Sequence, residues 1–537
     1  MSISNTPTAQ GSAPRPHRAR ARARAAKFSF VAVASAAALV LSGCSTGGSS
    51  ADASDSDQST LRFGISNEPA DLITGVDQGT VGNTMMSLIH RGLMSYDSSG
   101  AVEPALAESI DLVDSTTYNF SLHPDLTFQD GSALTADNVK NSLEYYADPA
   151  NGSTLNVGLK DISSVDVTDD VSGVIHLSGP NSALLEYLAI PTAAIVPDAA
   201  LSPDVANSIG AGPFSLEEHT DGVNLLLAKF DGFYDASDVD LDEIDVSFYS
   251  DGTARTNALL GGDVDIIDYV PWPDYDRVSN TDGFTLDAQT GPLQFVQFNV
   301  TDGPFADAKV REAVAYAINR ENSIIAAFQG HGEPLTGVYI PEDNAAYNPD
   351  MTDLFGYDVD KAKDLLAEAG YPDGFEATLL TTSQYAFLQD TALSVQADLQ
   401  AIGITVNLDA PDWATRVAQG NAGEYDIAIA GGAGIVTDPT YIKGLVSGPN
   451  SFLRSFGYDN ADLNAALEEG LRATDDTEKL EAYAQALTIM QADVPYAPIN
   501  TREQAFAFND SVAGFKNLPG FLSFYSGYSF AATSISN

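Results

Sequence analysis

Few residues in this chain have the type and spacing for covalent or metal chemistry. A single cysteine, Cys44, stands in 537 residues, so the chain cannot close a disulfide on itself. The histidines beyond it are His90, His123, His176, His219 and His331, and no two are near enough in sequence to make a local metal pair. His331, between Gly330 and Gly332, reads as a surface-loop residue. No serine nucleophile elbow joins a strand to a helix, no H-E-x-x-H zinc helix occurs, and no G-x-x-x-x-G-K-[ST] loop is present to hold ATP phosphates. Among 74 Asp and Glu nothing selects a pair for glycoside hydrolysis. The expectation is a chain that is not an enzyme, with no catalytic residue, no metal site and no cofactor.

Binding chemistry remains. The only tryptophans, Trp272 and Trp413, fall in or just after loops at strand ends, where an aromatic face can bury apolar parts of a ligand or plug its own loop. Glu68, after the first strand, and Asp438, beside Pro439, are candidate acids for a bound cation; a solvated turn residue and a helix cap are the structural alternatives. Tyr441 and the run Tyr525-Ser-Gly-Tyr528 are further candidates for a cleft.

Cys44 calls for different chemistry. Before it lie Arg15, Arg18, Arg20, Arg22, Arg24 and Lys27 with no acid, then the 14 residues Phe28 to Leu41, apolar apart from two serines. Positive, apolar, then small is the order of a secretory signal. A spanning helix needs roughly 20 apolar residues, so this run is too short for a stop-transfer segment. Leu41-Ser-Gly-Cys44 resembles the bacterial lipoprotein signal, in which the cysteine thiol receives a diacylglyceryl group and becomes the first mature residue. Cys44 is therefore expected to be a lipid anchor holding the protein to the outer face of the cell membrane after export by the general secretory route.

Beyond Cys44 there are 19 Lys and Arg against 74 Asp and Glu, which excludes nucleic acid as a main partner. Residues 44–60 carry Ser, Gly, Thr, Ala and Asp with no large apolar side chain, the composition of a flexible tether. The rest is long enough for two or three lobes. Leu61, Phe63 and Ile65 alternate as a strand, and a helical pattern carries Met85, Leu88, Ile89 and Leu93. Strands are expected at Tyr118 to Leu122 and around Leu126 and Phe128, with a turn at Asp130-Gly131 and a helix capped by Thr135. From Ala362 onward helices and strands alternate: a helix closed by Gly370, a strand Glu376 to Leu380, a helix Leu388 to Ile402, a strand Ile404 to Leu408, a helix from Trp413, and a strand Tyr425 to Ile429. That alternation predicts crossover connections and a parallel sheet, with ligand chemistry in the loops at the carboxyl ends of its strands.

The stretch Asp114 to Val139, including Phe128-Gln-Asp-Gly131 and Leu134-Thr-Ala-Asp-Asn-Val139, resembles the signature of extracellular solute-binding family 5, the peptide- and nickel-type binding proteins of ABC importers. Arg91-Gly-Leu-Met-Ser-Tyr-Asp97, Glu103-Pro-Ala-Leu-Ala-Glu108, Gly210-Ala-Gly-Pro-Phe214, Asn257 to Asp265, Val310 to Asn319 and Asp358 to Tyr371 are similar to further family segments, in family order. The resemblance implies an α/β, class II periplasmic-binding-protein-like fold, three-lobed, with mixed sheets and a ligand cleft between two main lobes. It implies a signal peptide at 1–43 and a first lobe built from 61–86, 191–299 and 495–537. The second lobe is then an insertion at 87–190 and the third spans 300–494.

The function it implies is capture of a small solute, peptide-like or a modified peptide, by a monomer that delivers it to an ABC permease and its ATPase. A lipid-anchored envelope hydrolase and a surface sensor or adhesin are the competing classes. In peptide-binding members the loop before Asp438-Pro439 carries a tryptophan and, three residues on, an aspartate that grips the peptide amine; here those positions are Gly432 and Ile435. An apolar Ile435 cannot compensate a desolvated ammonium. Simple di- and tripeptides are therefore expected to bind poorly, and a blocked peptide or less cationic solute to be preferred.

Overall fold

The computed structural model describes residues 59–69, 72–202, 208–341, 344, 346–349 and 353–536. Cys44, the export segment and most of the tether lie outside the described residues. Among the described residues no helix is long and apolar enough to cross a membrane.

One sheet of 11 strands runs through the molecule. At one end Leu61, Phe63 and Ile65 bury one face of the strand Thr60–Ile65, which pairs in parallel with Glu243–Phe248 and Ile266–Ile267. Antiparallel strands Asn224–Lys229 and Phe214–Thr220 complete that wing. At the other end Phe375–Leu380 lies parallel to both Ile404–Asp409 and Ile427–Gly432. The expected parallel arrangement is therefore present as a trio, but Ile427–Gly432 also pairs antiparallel with Phe284–Phe298, so the sheet is mixed. The last strand of the trio starts two residues later than its apolar run suggested and continues through Gly432, because Leu293 to Phe298 of its partner extend the ladder across the glycines.

Two long antiparallel strands, Phe284–Phe298 and Tyr496–Asn509, join the wings. Their register shifts at Thr290/Leu293 and again at Gln294/Phe295. Such bulges break the ladder locally and let the two ends bend relative to each other. At Gly291 an added Cβ would sit 2.2 Å from the Gly520 carbonyl oxygen, so only glycine lets the C-terminal segment Gly520–Ala532 close over this joint.

A separate antiparallel sheet is formed by Ala107–Asp114, Thr117–Leu122, Ser172–Leu177 and Ile162–Asp169, and helix Ala136–Ala147 packs on it. Thr135 begins that helix with a capping box, as its sequence predicts. Leu126 and Phe128 form no strand; Thr127 makes only an isolated bridge to Ala133. Leu93 lies past the end of its helix, which is Gly79–Ile89. The acidic composition serves helix starts: Asp251, Asp307, Asp358, Asp412 and Asp475 each accept a backbone N–H of the first turn.

Candidate ligand-binding site

A cavity of about 1080 Å³ opens beside the joint between the wings. Ser66 to Pro69, Tyr269, Trp272 and Pro273 line it from the first wing, Gln384 to Leu388, Asp390, Trp413, Arg416 and Gly431 to Ile435 from the other, and Pro292, Gln294 and Arg502 from the joining strands.

The backbone at Tyr269 has φ +42°, a left-handed conformation that a tyrosine adopts only when its surroundings impose it. Arg255, buried beneath, donates to the Tyr269 carbonyl at 2.7 Å, the Asp268 carbonyl at 3.1 Å and the Tyr249 carbonyl at 2.6 Å, holding the turn. Trp272 follows, its Nε1–H donating to the Glu503 carbonyl at 2.9 Å. Its ring meets Phe328 edge-on at 4.9 Å and Phe387 at 5.8 Å. The guanidinium of Arg502 then lies 5.5 Å from the Tyr269 ring, 5.6 Å from Trp272 and 5.5 Å from Phe387. Three aromatic rings attract the cation but accept none of its directed N–H bonds.

Arg416 sits three residues after Trp413 on helix Trp413–Ala422, with its guanidinium 5.5 Å from that ring. It donates to the Phe452 carbonyl at 3.1 Å and the Ile429 carbonyl at 2.8 Å, while its Nε has no partner. Burial pulls its pKa down to about 10, so it stays a cation at neutral pH. Gln294 is wholly buried; Thr391 engages one end of its amide at 2.9 Å and the other end is unpartnered.

Buried arginines differ in how fully they are used: Arg91 and Arg454 also leave Nε without a partner, but neither lines this cavity. Arg311 and Arg320 also lack a carboxylate partner among the described residues, but each spends Nε, Nη1 and Nη2 on backbone carbonyls. Arg502 makes one long bond, 3.4 Å to Gln504 Oε1. Two partly satisfied cations facing one cavity leave directed donors for an acceptor from outside.

Of the residues singled out from sequence, Glu68, Trp272, Trp413, Gly432 and Ile435 line this cavity, as does Tyr525. Glu68 sits at its rim, accepting from His219 Nε2 at 2.8 Å and from the Gly222 N–H at 3.2 Å, contacts that hold its carboxyl below the ordinary value. Asp221 lies beside them, the three donor atoms falling within 4.8 Å of one another.

Asp438 is placed elsewhere. It is fully buried, caps Pro439–Ile442, accepts from Tyr483 OH at 2.8 Å and pairs with Lys479, so its charge is spent inside the protein rather than on a ligand. Glu186 closes the same knot, accepting from the Thr437 N–H at 2.8 Å and the Asp438 N–H at 3.1 Å; burial and the nearby Asp438 raise its pKa. Tyr441 lies outside the main cavity, its hydroxyl donating to the Tyr339 carbonyl at 2.6 Å. His331 is only half-exposed, packs on Tyr275 at 4.6 Å and lies 3.4 Å from Glu503. Sequence reasoning missed Arg416, Arg502, Gln294 and Tyr269. The three-residue spacing from Trp413 to Arg416 was a usable signal; nothing local marked Arg502.

The residues 101–451 match the profile of the bacterial extracellular solute-binding proteins, family 5. The chain belongs to that family, whose members are extracytoplasmic binding proteins of the ABC-importer type with the three-lobed class II periplasmic-binding-protein-like fold. A glutathione-binding protein of Salmonella typhi is 29% identical over 459 residues, which are 82% of this chain and 88% of that protein. The solved binding protein AgaA of A. tumefacien R10, in complex with agropinic acid, is 39% identical with a TM-score of 0.80, over 89% of this chain and 99% of the other. A dipeptide-binding protein of Pseudoalteromonas sp. SM9913, in complex with Met-Leu, shares the fold at 20% identity, with a TM-score of 0.75 over 89% of this chain and 100% of that one.

Proposed function

We propose that the protein is a lipid-anchored receptor, held at Cys44, that captures a small organic acid in this cavity and delivers it to an ABC permease with a separate ATPase. The observation that carries the acid is the pair Arg416 and Arg502, buried cations on the cavity wall whose N–H groups are only partly used. A carboxylate offers two acceptor oxygens to a planar guanidinium fork. The agropinic acid bound by the 39% identical relative is in keeping with such a ligand.

Lobe I, made of residues 61–86, 191–299 and 495–537, would close on lobe III, residues 300–494, by bending the joining strands at their bulges. Lobe II, residues 87–190, is the insertion. Ligand binding favours the closed form, without turnover. Asp390, half-buried on the same helix as Phe387, also lines the cavity. It supports a second reading, a zwitterionic solute whose amine meets Asp390 while its acid meets an arginine. On the first reading unmodified dipeptides are weak candidates, because Ile435 supplies no charge for their amine.

Thermal melting with agropinic acid, glutathione, unmodified dipeptides and their neutral amides tests the reading. A ligand that binds only the folded form stabilises it by RT ln(1 + [L]/Kd), about 2.7 kcal/mol at a hundredfold excess over Kd. At least one acid is expected to raise the melting temperature and its amide to do so far less. Equal effects of acid and amide would refute the acid reading.

A further inference from the structure

A second, smaller cavity of about 170 Å³ adjoins the first. Gly431 to Ile435 and Leu453 line both, so this segment is a shared wall. At Gly432 the wall borders open space: an added Cβ would meet no atom within 4 Å. At Gly434, by contrast, a Cβ would lie 2.6 Å from the Phe521 ring, so that part of the wall is packed shut. Beyond Gly432 the lining is Leu293, Phe295, Leu445, Val157, Gly444, the rings of Tyr187 and Tyr441, and one polar side chain, Thr440. The Tyr441 hydroxyl is committed to the Tyr339 carbonyl. At the pocket, Val157 is 43% and Leu453 38% exposed, so two large apolar side chains stand open to a covering group.

We propose that this pocket is a second compartment of the solute site, taking an uncharged apolar arm that passes Gly432 while the acid group stays in the arginine compartment. The proposal rests on the main cavity being the solute site. Chemistry selects the occupant: a charge placed among Leu293, Phe295 and Leu445 would lose its hydration with nothing to replace it, whereas an apolar group loses nothing. Size sets the arm, because a cavity of about 150 Å³ lined by apolar side chains accommodates benzene or xenon. A phenyl ring or branched alkyl chain therefore fits. The absent side chain at 432 thus does more than remove an aromatic face from the cleft; it opens a passage.

Two measurements test this. Crystals of the unmutated protein under xenon are expected to show the gas between Leu293, Phe295 and Tyr441; a pocket without xenon, while another cavity takes it up, overturns the proposal. In solution, 4-phenylbutyric acid should bind roughly thirtyfold tighter than butyric acid, the advantage of burying one ring. Gly432→Trp should reduce that ratio to near one and Gly432→Ala should keep it. An unchanged ratio in Gly432→Trp overturns the proposal as well. Xenon carries no acid group, so it reads the pocket even if the carboxylate reading fails. Conversely, unchanged acid binding on replacing Arg502, with xenon still bound, would refute only the carboxylate assignment.

Discussion

Replacing Arg502 by methionine separates binding from folding. The guanidinium packs on Tyr269, Trp272 and Phe387 and makes a single 3.4 Å bond to Gln504, so an unbranched apolar side chain of similar length keeps the ring contacts. For the free protein the change removes a cation on the cavity wall that has one long hydrogen bond to hold it. Melting without ligand should therefore stay within about 1 kcal/mol of the original or rise, as when buried charges are replaced by well-packed apolar groups. Binding should suffer. A ligand carboxylate that loses its charged partner in a closed cleft costs about 2–5 kcal/mol, or roughly thirtyfold to several thousandfold in Kd. Arg311→Met is the contrast, since that side chain serves the carbonyls of Phe305, Ala306, Asp493 and Val494. Leaving several buried carbonyls bare should cost about 1–3 kcal/mol each. Calorimetric titration with the acid identified by the melting panel, together with scanning calorimetry of both free variants, decides the matter. Arg502→Met binding the acid normally, or unfolding as readily as Arg311→Met, would show that the guanidinium is structural.

Three further outcomes are expected. Burial pushes the Asp268 carboxyl up to about 6 despite Arg255 at 3.5 Å, so the folded state holds a proton that the unfolded chain releases near pH 4. Stability should consequently fall as pH rises from about 4 to about 6, by on the order of 3 kcal/mol for this group, and level off above; urea unfolding at pH 4.5 and pH 7 should show a smaller difference in Asp268→Asn. Gly291→Ala should destabilise by about 1–3 kcal/mol, because its Cβ would press on the Gly520 carbonyl, and its melting temperature would have to match the parent to discredit that contact. Cys44→Ala should lose lipid labelling and membrane retention; cells that keep the variant on the membrane would remove the anchor from the proposal.

Local patterns determined a good deal of this protein. The alternation of Leu61, Phe63 and Ile65, the capping box at Thr135 and the stripe closed by Gly370 each depend on residues a few positions apart, and such short-range preferences act before any tertiary contact forms. Ordered family segments over most of the chain likewise made the family legible. Trp413 and Gly432 could be placed near a cleft because strand ends in a parallel sheet are where ligands bind.

Tertiary structure decided the rest, for reasons of distance along the chain. Arg502 becomes a cavity residue only because Tyr269, Trp272 and Phe387, more than 100 residues away from it, fold against the same bulge. Asp438 read equally well as a ligand acid or a cap; Tyr483 and Lys479, some 40 residues later, claim its charge. The last strand of the parallel trio reaches Gly432, against the low strand preference of glycine, because the ladder from Leu293 to Phe298 supplies its hydrogen bonds. Charge, periodicity and turn chemistry are local quantities, but whether a buried cation is satisfied depends on what the whole fold brings to within 3 Å of it.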